Sequence, residues 1–333
     1  MSRDLVHIYM PRLDVTFKKG PVPEARGNIT PIRFHWLQFV RNLFDTYIES
    51  GIETCVYEMP LWEMTPTFVY ENSKDATRIY IPHKQNDTWQ PDPRVRYYMQ
   101  MVIPSIFSID PDGWCAGASV WPINANGDAN SGIFDQLAER INSNVSKFDQ
   151  PERGKNKLGI KDYVFFPCQI PHDETIKYHS DFTVEDALNL TLNWVERTDK
   201  KLVIKGHPVN PGSMANLKMI ASRRSCIWVD DCNIHDLLAD ARLVVTVNSG
   251  VGFEAILHDK PVFTFGRADY DAVSYGGVNQ NDKGSISTKL EQAWTGGLLG
   301  YPTRSLYRRF VDAWYNTHYD VNNIATFEKA VEQ

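Results

Sequence analysis

The chain has 333 residues, of which 42% are hydrophobic and 12% aromatic, and a formal net charge of −6 at pH 7. This length is enough for two domains that each bury a core of their own. The acidic balance argues against a protein whose main task is gripping a polyanion, because phosphate contacts need clustered Lys and Arg.

The first half of the sequence opens with a strand, a long loop, a helix and a second strand. Residues 5–10 form the predicted first strand, and a polar segment rich in Gly and Pro follows over 11–31. Apolar side chains at helical spacing predict a helix over 32–50, and residues 54–58 are predicted as the second strand. This order is expected of an open α/β domain.

The pattern from 62 to 132 is less regular. Strands are predicted at 68–70 and 78–81, and a helix at 94–102. Turn signals occupy 108–114 and 124–130.

A helix over 134–145 precedes a charged segment, 149–158, that contains Pro and Gly and is the best predicted linker. Strands then follow at 163–166, 202–204, 226–229, 243–247 and 262–265. Helices alternate with them at 184–197, 215–221, 234–239 and 253–258. Strict alternation predicts a parallel, doubly wound sheet. We therefore expect an N-terminal α/β domain at 1–155, a second α/β domain at 156–303 and a helical segment at 304–333.

One motif combines a buried strand, a turn of small residues and a short helix. It runs Val-Thr-Val-Asn-Ser-Gly-Val-Gly-Phe-Glu over 245–254. The N–H groups and small side chains of Asn248, Ser249, Gly250 and Gly252 are expected to meet phosphate or ribose oxygens, with Glu254 on the ribose hydroxyls. The structural alternative is an ordinary capped helix.

A second motif, Leu-Val-Ile-Lys-Gly-His-Pro, covers 202–208 and places His207 just past a strand end. There the imidazole could donate to a donor phosphate, either neutral or charged. Lys205 would add positive charge, and Pro208 would fix the turn. The alternative is a histidine that caps the strand without binding a ligand.

These two motifs, followed by Lys-Pro-Val at 260–262, resemble the capsule polysaccharide biosynthesis family of β-Kdo transferases. The loop at 165–176, with Gln169 and Asp173, and the segment at 266–270 resemble further elements of that family. The resemblance spans roughly residues 160–275 and does not include the first half. It implies two Rossmann-like α/β domains facing a cleft, the architecture called GT-B, with the C-terminal helix crossing back to the first domain.

The resemblance also implies a glycosyltransferase that moves Kdo or a related acidic sugar from a nucleotide donor, such as a CMP-linked one, to a glycan or glycolipid acceptor. No cofactor beyond the donor is expected. Sugar transfer needs a base near the acceptor hydroxyl. Candidate bases are His35, Asp112 and Asp173, and Asp110 and Glu24 are further candidates, although loop aspartates are more often turn formers. No Asp-x-Asp suited to a sugar-nucleotide metal occurs, which predicts metal-independent transfer.

Three other functions stay open at this point. They are a glycosyltransferase acting on a modified nucleic-acid base, a nucleotide-sugar epimerase, and a non-catalytic glycan-binding or scaffold protein. The five cysteines form an odd set without C-x-x-C spacing, so neither a disulfide framework nor a zinc site is expected. The sequence shows no signal-peptide pattern and no stretch apolar enough to cross a membrane, and it predicts a cytoplasmic protein with peripheral membrane attachment left open.

Overall fold

The computed structural model describes residues 4–11, 31–58, 66–82, 92–208, 211–298 and 302–332. The chain divides into two compact units. The first comprises Met1–Val120 together with Asn316–Gln333, and the second comprises Trp121–Tyr315. Each unit is built around one β-sheet. Within the described ranges, no helix is both long and apolar enough to span a membrane.

The first unit has a six-stranded mixed sheet. Its strands are β1 (Leu5–Met10), β2 (Glu53–Glu58), β3 (Arg78–Pro82), β4 (Val95–Gln100), β5 (Ile106–Asp110) and β11 (Tyr319–Asp320), in the order β11-β5-β4-β3-β1-β2. Strands β1, β2, β3 and β4 run parallel to one another, and β5 is antiparallel to both β4 and β11. The helices of this unit are α1 (Pro31–Glu49), α2 (Pro66–Asn72) and α11 (Lys329–Glu332).

Helix α1 covers one face of this sheet with large aromatic side chains. Trp36, Phe39 and Leu43 follow the i, i+3, i+7 spacing of a helix face and are all buried. The Phe39 ring stacks on the Phe107 ring of β5 and on the Tyr98 ring of β4, with centroid distances of 4.4 and 4.9 Å. Each such pair contributes about 0.5–1.5 kcal/mol beyond the burial of area. The helix and the sheet thus form a single aromatic core.

Two elements of the first unit differ from the sequence prediction. The predicted helix at 94–102 is the strand β4, which pairs in parallel with β3 and antiparallel with β5. Tyr97 and Tyr98 are both buried, one on each face of the sheet. The backbone hydrogen bonds of β4 to β3 and β5 outweigh the weak helical pattern of its sequence. The predicted strand at 68–70 lies in α2 instead. Short apolar runs do not distinguish the periodicity of a helix from that of a strand.

The second unit has a five-stranded sheet in which every pair is parallel. Its strands are β6 (Tyr163–Pro167), β7 (Leu202–Lys205), β8 (Ile227–Val229), β9 (Ala241–Thr246) and β10 (Val262–Thr264), in the order β10-β9-β6-β7-β8. Its helices are α3 (Ile133–Asn142), α4 (Glu174–His179), α5 (Val184–Arg197), α6 (Ala215–Ala221), α7 (Ile234–Asp240), α8 (Val251–Leu257), α9 (Ile286–Leu298) and α10 (Arg304–Thr317). The predicted alternation of strands and helices is therefore confirmed.

The boundary of the units lies upstream of the linker predicted from sequence. Segment 149–158 packs against α7: Arg153 Nε lies 2.8 Å from Asp236 Oδ1, and Asn233 Nδ2 donates to the carbonyl oxygen of Pro151 at 2.6 Å. Helix α3 also lies in the second unit. Because these polar contacts hold the segment, it is part of the second unit. The chain returns to the first unit at Asn316, inside α10.

Candidate functional site

The predicted donor residues lie beyond the carboxyl ends of β6, β7 and β9. These strands are adjacent and parallel, so the loops that follow them leave the same edge of the sheet. Gln169 and Asp173 follow β6, His207 follows β7, and Asn248 follows β9. Ligands of open α/β sheets bind at this edge. The fold thus brings together three motifs that are far apart in sequence.

Gln169 and Asn248 join two of these loops. Gln169 Oε1 accepts hydrogen bonds from the Asn248 N–H at 3.0 Å and from Thr246 Oγ1 at 3.1 Å, and its Nε2 donates to Asn248 Oδ1 at 2.9 Å. Asn248 Nδ2 in turn donates to the carbonyl oxygen of Thr175 at 2.8 Å. Both side chains are buried. These hydrogen bonds position the two loops, and the expected contact of Gln169 and Asn248 with the donor stays a prediction.

The turn before α8 is closed by its own hydrogen bonds. Ser249 Oγ accepts from the Val251 N–H at 3.2 Å, and the Ser249 carbonyl oxygen accepts from the Gly252 N–H at 2.9 Å. A Cβ atom at Gly252 would lie 2.2 Å from the Tyr270 hydroxyl oxygen. Gly252 is therefore required for packing, and its predicted contact with a phosphate or ribose stays a prediction. Gly250 is exposed at the start of this seven-residue helix.

Glu254 on α8 is covered by the segment that follows α3. Its side chain is only 2% exposed, and Oε1 accepts a hydrogen bond from Ser146 Oγ at 2.7 Å. Burial raises the pKa of this carboxyl to about 7, although the bond from Ser146 acts in the opposite direction. The sequence placed Glu254 on a ribose. In the structure it accepts the hydrogen bond from Ser146, and a contact with a ribose stays a prediction.

Lys205, at the end of β7, is buried beside β8. Its Nζ donates to the carbonyl oxygen of Asp230 at 2.8 Å. Burial lowers the pKa of this ammonium, while Cys232 and Asp230 act to raise it. Lys205 is therefore tied to the protein backbone rather than extended toward a ligand. Pro208, three residues past the strand and next to His207, is exposed.

His207 is the predicted residue whose surroundings suit a donor phosphate best. Burial lowers the pKa of its imidazole to about 4, and the cations Lys147 and Lys205 lower it further, while Asp173 acts to raise it. The Phe148 ring meets the imidazole edge-on, with the centroids 5.2 Å apart. In the free protein the imidazole is thus neutral near pH 7 and carries one N–H donor.

Asp173 and Lys147 complete this group of charges. Asp173 Oδ1 caps α4 by accepting from the backbone N–H and the hydroxyl of Thr175, at 2.9 and 2.7 Å. Burial lowers the pKa of Lys147, and Asp173 partly opposes that effect. Sequence reasoning missed Lys147 and Phe148. No local pattern marks them, since they lie between a predicted helix and a predicted linker.

The candidate bases of the first unit lie in different local environments. His35 is half-buried on α1, where its Nδ1 lies 3.1 Å from Gln38 Oε1, and burial lowers the pKa of its imidazole. Asp110 closes a loop by accepting from the N–H groups of Asp112, Gly113 and Ser119. Asp112 is exposed. Glu24 lies outside the described residues. The structure thus explains Asp110 as a loop-forming residue.

Comparison with known proteins gives a family for most of the second unit. Residues 133–293 match the family described as capsule polysaccharide biosynthesis protein. This part of the chain is therefore similar to that family. The family segment begins at the first residue of α3, and so it includes Lys147 and Phe148 as well as the motifs around His207 and Glu254.

Curated relatives share the same part of the chain. Protein FixF of Sinorhizobium fredii is 35% identical over 165 residues, which cover 46% of this chain and 37% of that protein. The capsule polysaccharide export protein KpsS of Escherichia coli is 32% identical over 161 residues, which cover 44% and 38%. The matched region thus spans less than two fifths of the length of these relatives.

A solved structure shows the fold. The KpsC protein of Thermosulfurimonas dismutans, described as a beta Kdo 2,4 transferase, matches 83% of this chain and 87% of its own, with a TM-score of 0.50 and 16% sequence identity. At this identity the likeness concerns the fold alone. The fold class is the one predicted, α/β with two sheets and GT-B-like. Within the described ranges, no group of three or more His, Cys, Asp or Glu side chains is placed to hold a metal ion.

Proposed function

We propose that the chain is a nucleotide-sugar-dependent glycosyltransferase whose second unit binds the donor. The observation that carries the proposal is the grouping of His207, Asp173 and Lys147 at the carboxyl edge of a parallel sheet, inside the capsule biosynthesis segment. Kdo or a related acidic sugar, linked to CMP, is the proposed donor, and a glycan or glycolipid is the proposed acceptor. The Kdo transferase description of the solved relative supports this choice.

The proposed reaction breaks one bond and forms another at the anomeric carbon. The bond to the donor phosphate oxygen breaks, and its electron pair leaves with the phosphate. A bond from the same carbon to the acceptor hydroxyl oxygen forms, and a base takes the hydroxyl proton. His207, neutral in the free protein, is suited to donate its ring N–H to the phosphate as negative charge develops there. The proposed transfer is metal-independent, as the sequence predicts.

Nucleotide binding tests the donor site. We expect CMP to raise the melting temperature of the protein more than UDP, GDP or ADP, since a ligand specific to the folded state stabilises it. His207→Ala removes a hydrogen bond to a charged group and should weaken CMP binding about tenfold to hundredfold. His172→Ala, at an exposed position in the loop after β6, is the matched control. Parent-like CMP affinity in a folded His207→Ala protein would remove this donor site.

Turnover measurements test the candidate bases. Loss of a general base typically slows a reaction about a hundredfold to ten-thousandfold while leaving donor binding in place. We propose His35, Asp112 and Asp173 as the candidate bases. The test compares the turnover of the alanine variant of each with that of the parent, in the presence and absence of EDTA. If all three variants turn over like the parent, the base lies elsewhere. If EDTA abolishes turnover, the transfer depends on a metal.

A further inference from the structure

Three consecutive residues, Ser146, Lys147 and Phe148, connect two of the predicted donor motifs. We call them the 146–148 segment. Ser146 Oγ donates to Glu254 Oε1 on α8 at 2.7 Å, across 108 positions of sequence. The Phe148 ring contacts the His207 imidazole at a centroid distance of 5.2 Å. Lys147 therefore lies between a contact to α8 and a contact to the loop after β7.

The residues on either side hold this segment in place. Before it, Asn144 Oδ1 accepts a hydrogen bond from Asn233 Nδ2 at 2.6 Å. After it, Gln150 Oε1 accepts from the Ile234 N–H at 3.2 Å. Both partners lie at the start of α7, so the segment is anchored at two ends by one element. Its position is therefore set by the second unit.

The ammonium of Lys147 lies within electrostatic reach of both His207 and Asp173. It lowers the pKa of the His207 imidazole, and the Asp173 carboxylate acts to raise the pKa of Lys147 itself. The other nearby cation, Lys205, is bonded to the carbonyl oxygen of Asp230. Because the imidazole of His207 is neutral, the positive charge of this group comes from Lys147 and Lys205, and Lys147 belongs to the segment whose Phe148 contacts His207.

We propose that Lys147 binds the donor phosphate beside His207, and that Glu254 acts through Ser146 as a positioning residue for Lys147. The inference rests on the proposed function, since it concerns the same donor. It adds a binding residue that lies outside the predicted motifs at 202–208 and 245–254. As the bond to the sugar breaks, negative charge grows on the leaving phosphate, and a fixed ammonium stabilises it without prior reorganisation.

The test compares a nucleotide with the nucleoside that lacks its phosphate. CMP and cytidine, and UDP and uridine, are titrated into the full chain by calorimetry. We expect Lys147→Met to weaken binding of the better nucleotide about tenfold to hundredfold and to change nucleoside binding less than about twofold. Lys147→Arg should retain most of the affinity because it keeps the charge. Lys155→Met, at an exposed position, is the matched control.

A second variant keeps the test decisive if Lys147→Met does not fold. Lys147→Gln is then used, with Ser146→Ala as a milder change that we expect to weaken nucleotide binding about threefold to tenfold. Equal loss of nucleotide and nucleoside affinity would show a structural role and overturn the inference. Unchanged nucleotide affinity in the Lys147 variants, with normal binding by the parent, would overturn it and leave the donor site standing. A parent that binds neither CMP nor UDP would contradict the proposed function as well.

Discussion

Replacing Glu254 by glutamine should change how the stability of the protein depends on pH. The carboxyl group is 2% exposed, and Ser146 Oγ donates to its Oε1. Glutamine keeps the size of the side chain and an oxygen that accepts from Ser146, but it cannot ionise. The substitution therefore isolates the cost of placing a negative charge at this buried position.

The magnitude follows from the raised pKa of this carboxyl. Burial moves it from 4.5 to about 7, so the folded protein keeps this proton to a higher pH than the unfolded chain does. The stability that the protonated group contributes is complete below about pH 4.5 and is lost as the pH rises through about 7. At about 1.4 kcal/mol for each pH unit between the two values, the loss is about 3 kcal/mol. The Glu254→Gln variant should not show this loss of stability.

Thermal unfolding across the range from about pH 5 to about pH 8.5 measures this difference. Because 1 kcal/mol shifts the melting temperature of a domain of this size by about 2–4 °C, the variant should gain roughly 6–12 °C on the parent between the two ends. Glu139→Gln, at an exposed position on α3, is the control and should show no such trend. A constant difference between Glu254→Gln and parent would refute the reasoning, since it would mean that the carboxyl group is hydrated, as a ribose-facing residue would be.

Two further substitutions test the packing of the candidate site. Gly252→Ala places a methyl group 2.2 Å from the Tyr270 hydroxyl oxygen and should destabilise the protein by about 1–3 kcal/mol, measured by thermal unfolding. Gly284→Ala is the control, because no atom lies within 4 Å of its added methyl group, and it should change stability by less than about 0.5 kcal/mol. Equal melting temperatures for the two variants would contradict this close contact. Gln169→Ala leaves the buried Asn248 N–H without its acceptor and should cost about 1–3 kcal/mol, measured by urea unfolding; a parent-like midpoint would show that the two loops are held by other contacts.

The sequence was most informative for the second unit, where local pattern and global fold agree. Strands that are covered on both faces of a parallel sheet have uninterrupted apolar runs, so β6, β7 and β9 were predicted within about two residues. Helix α5 has the predicted bounds because Thr183 and Asp186 form a capping box at its start. The position of His207 past a strand end followed directly from this pattern.

The first unit was less predictable because its short apolar runs fit more than one structure. The segment around Tyr97 and Tyr98 could bury its rings from a helix or from a strand. Pairing with β3 on one side and β5 on the other decided for a strand. A sequence window around these two tyrosines does not show that both neighbouring strands pair with the segment.

The sequence by itself thus determined the order of strands and helices in the second unit and the place of His207 on it, because both depend on local apolar pattern and strand direction. Only the tertiary structure decided the surroundings of that histidine. Lys147 lies beside it because Ser146 reaches Glu254 across 108 positions and Phe148 packs on the imidazole. Glu254, which accepts that hydrogen bond, is buried, a property that the sequence motif did not indicate. Such contacts depend on which distant segments fold together, and side-chain burial follows from them.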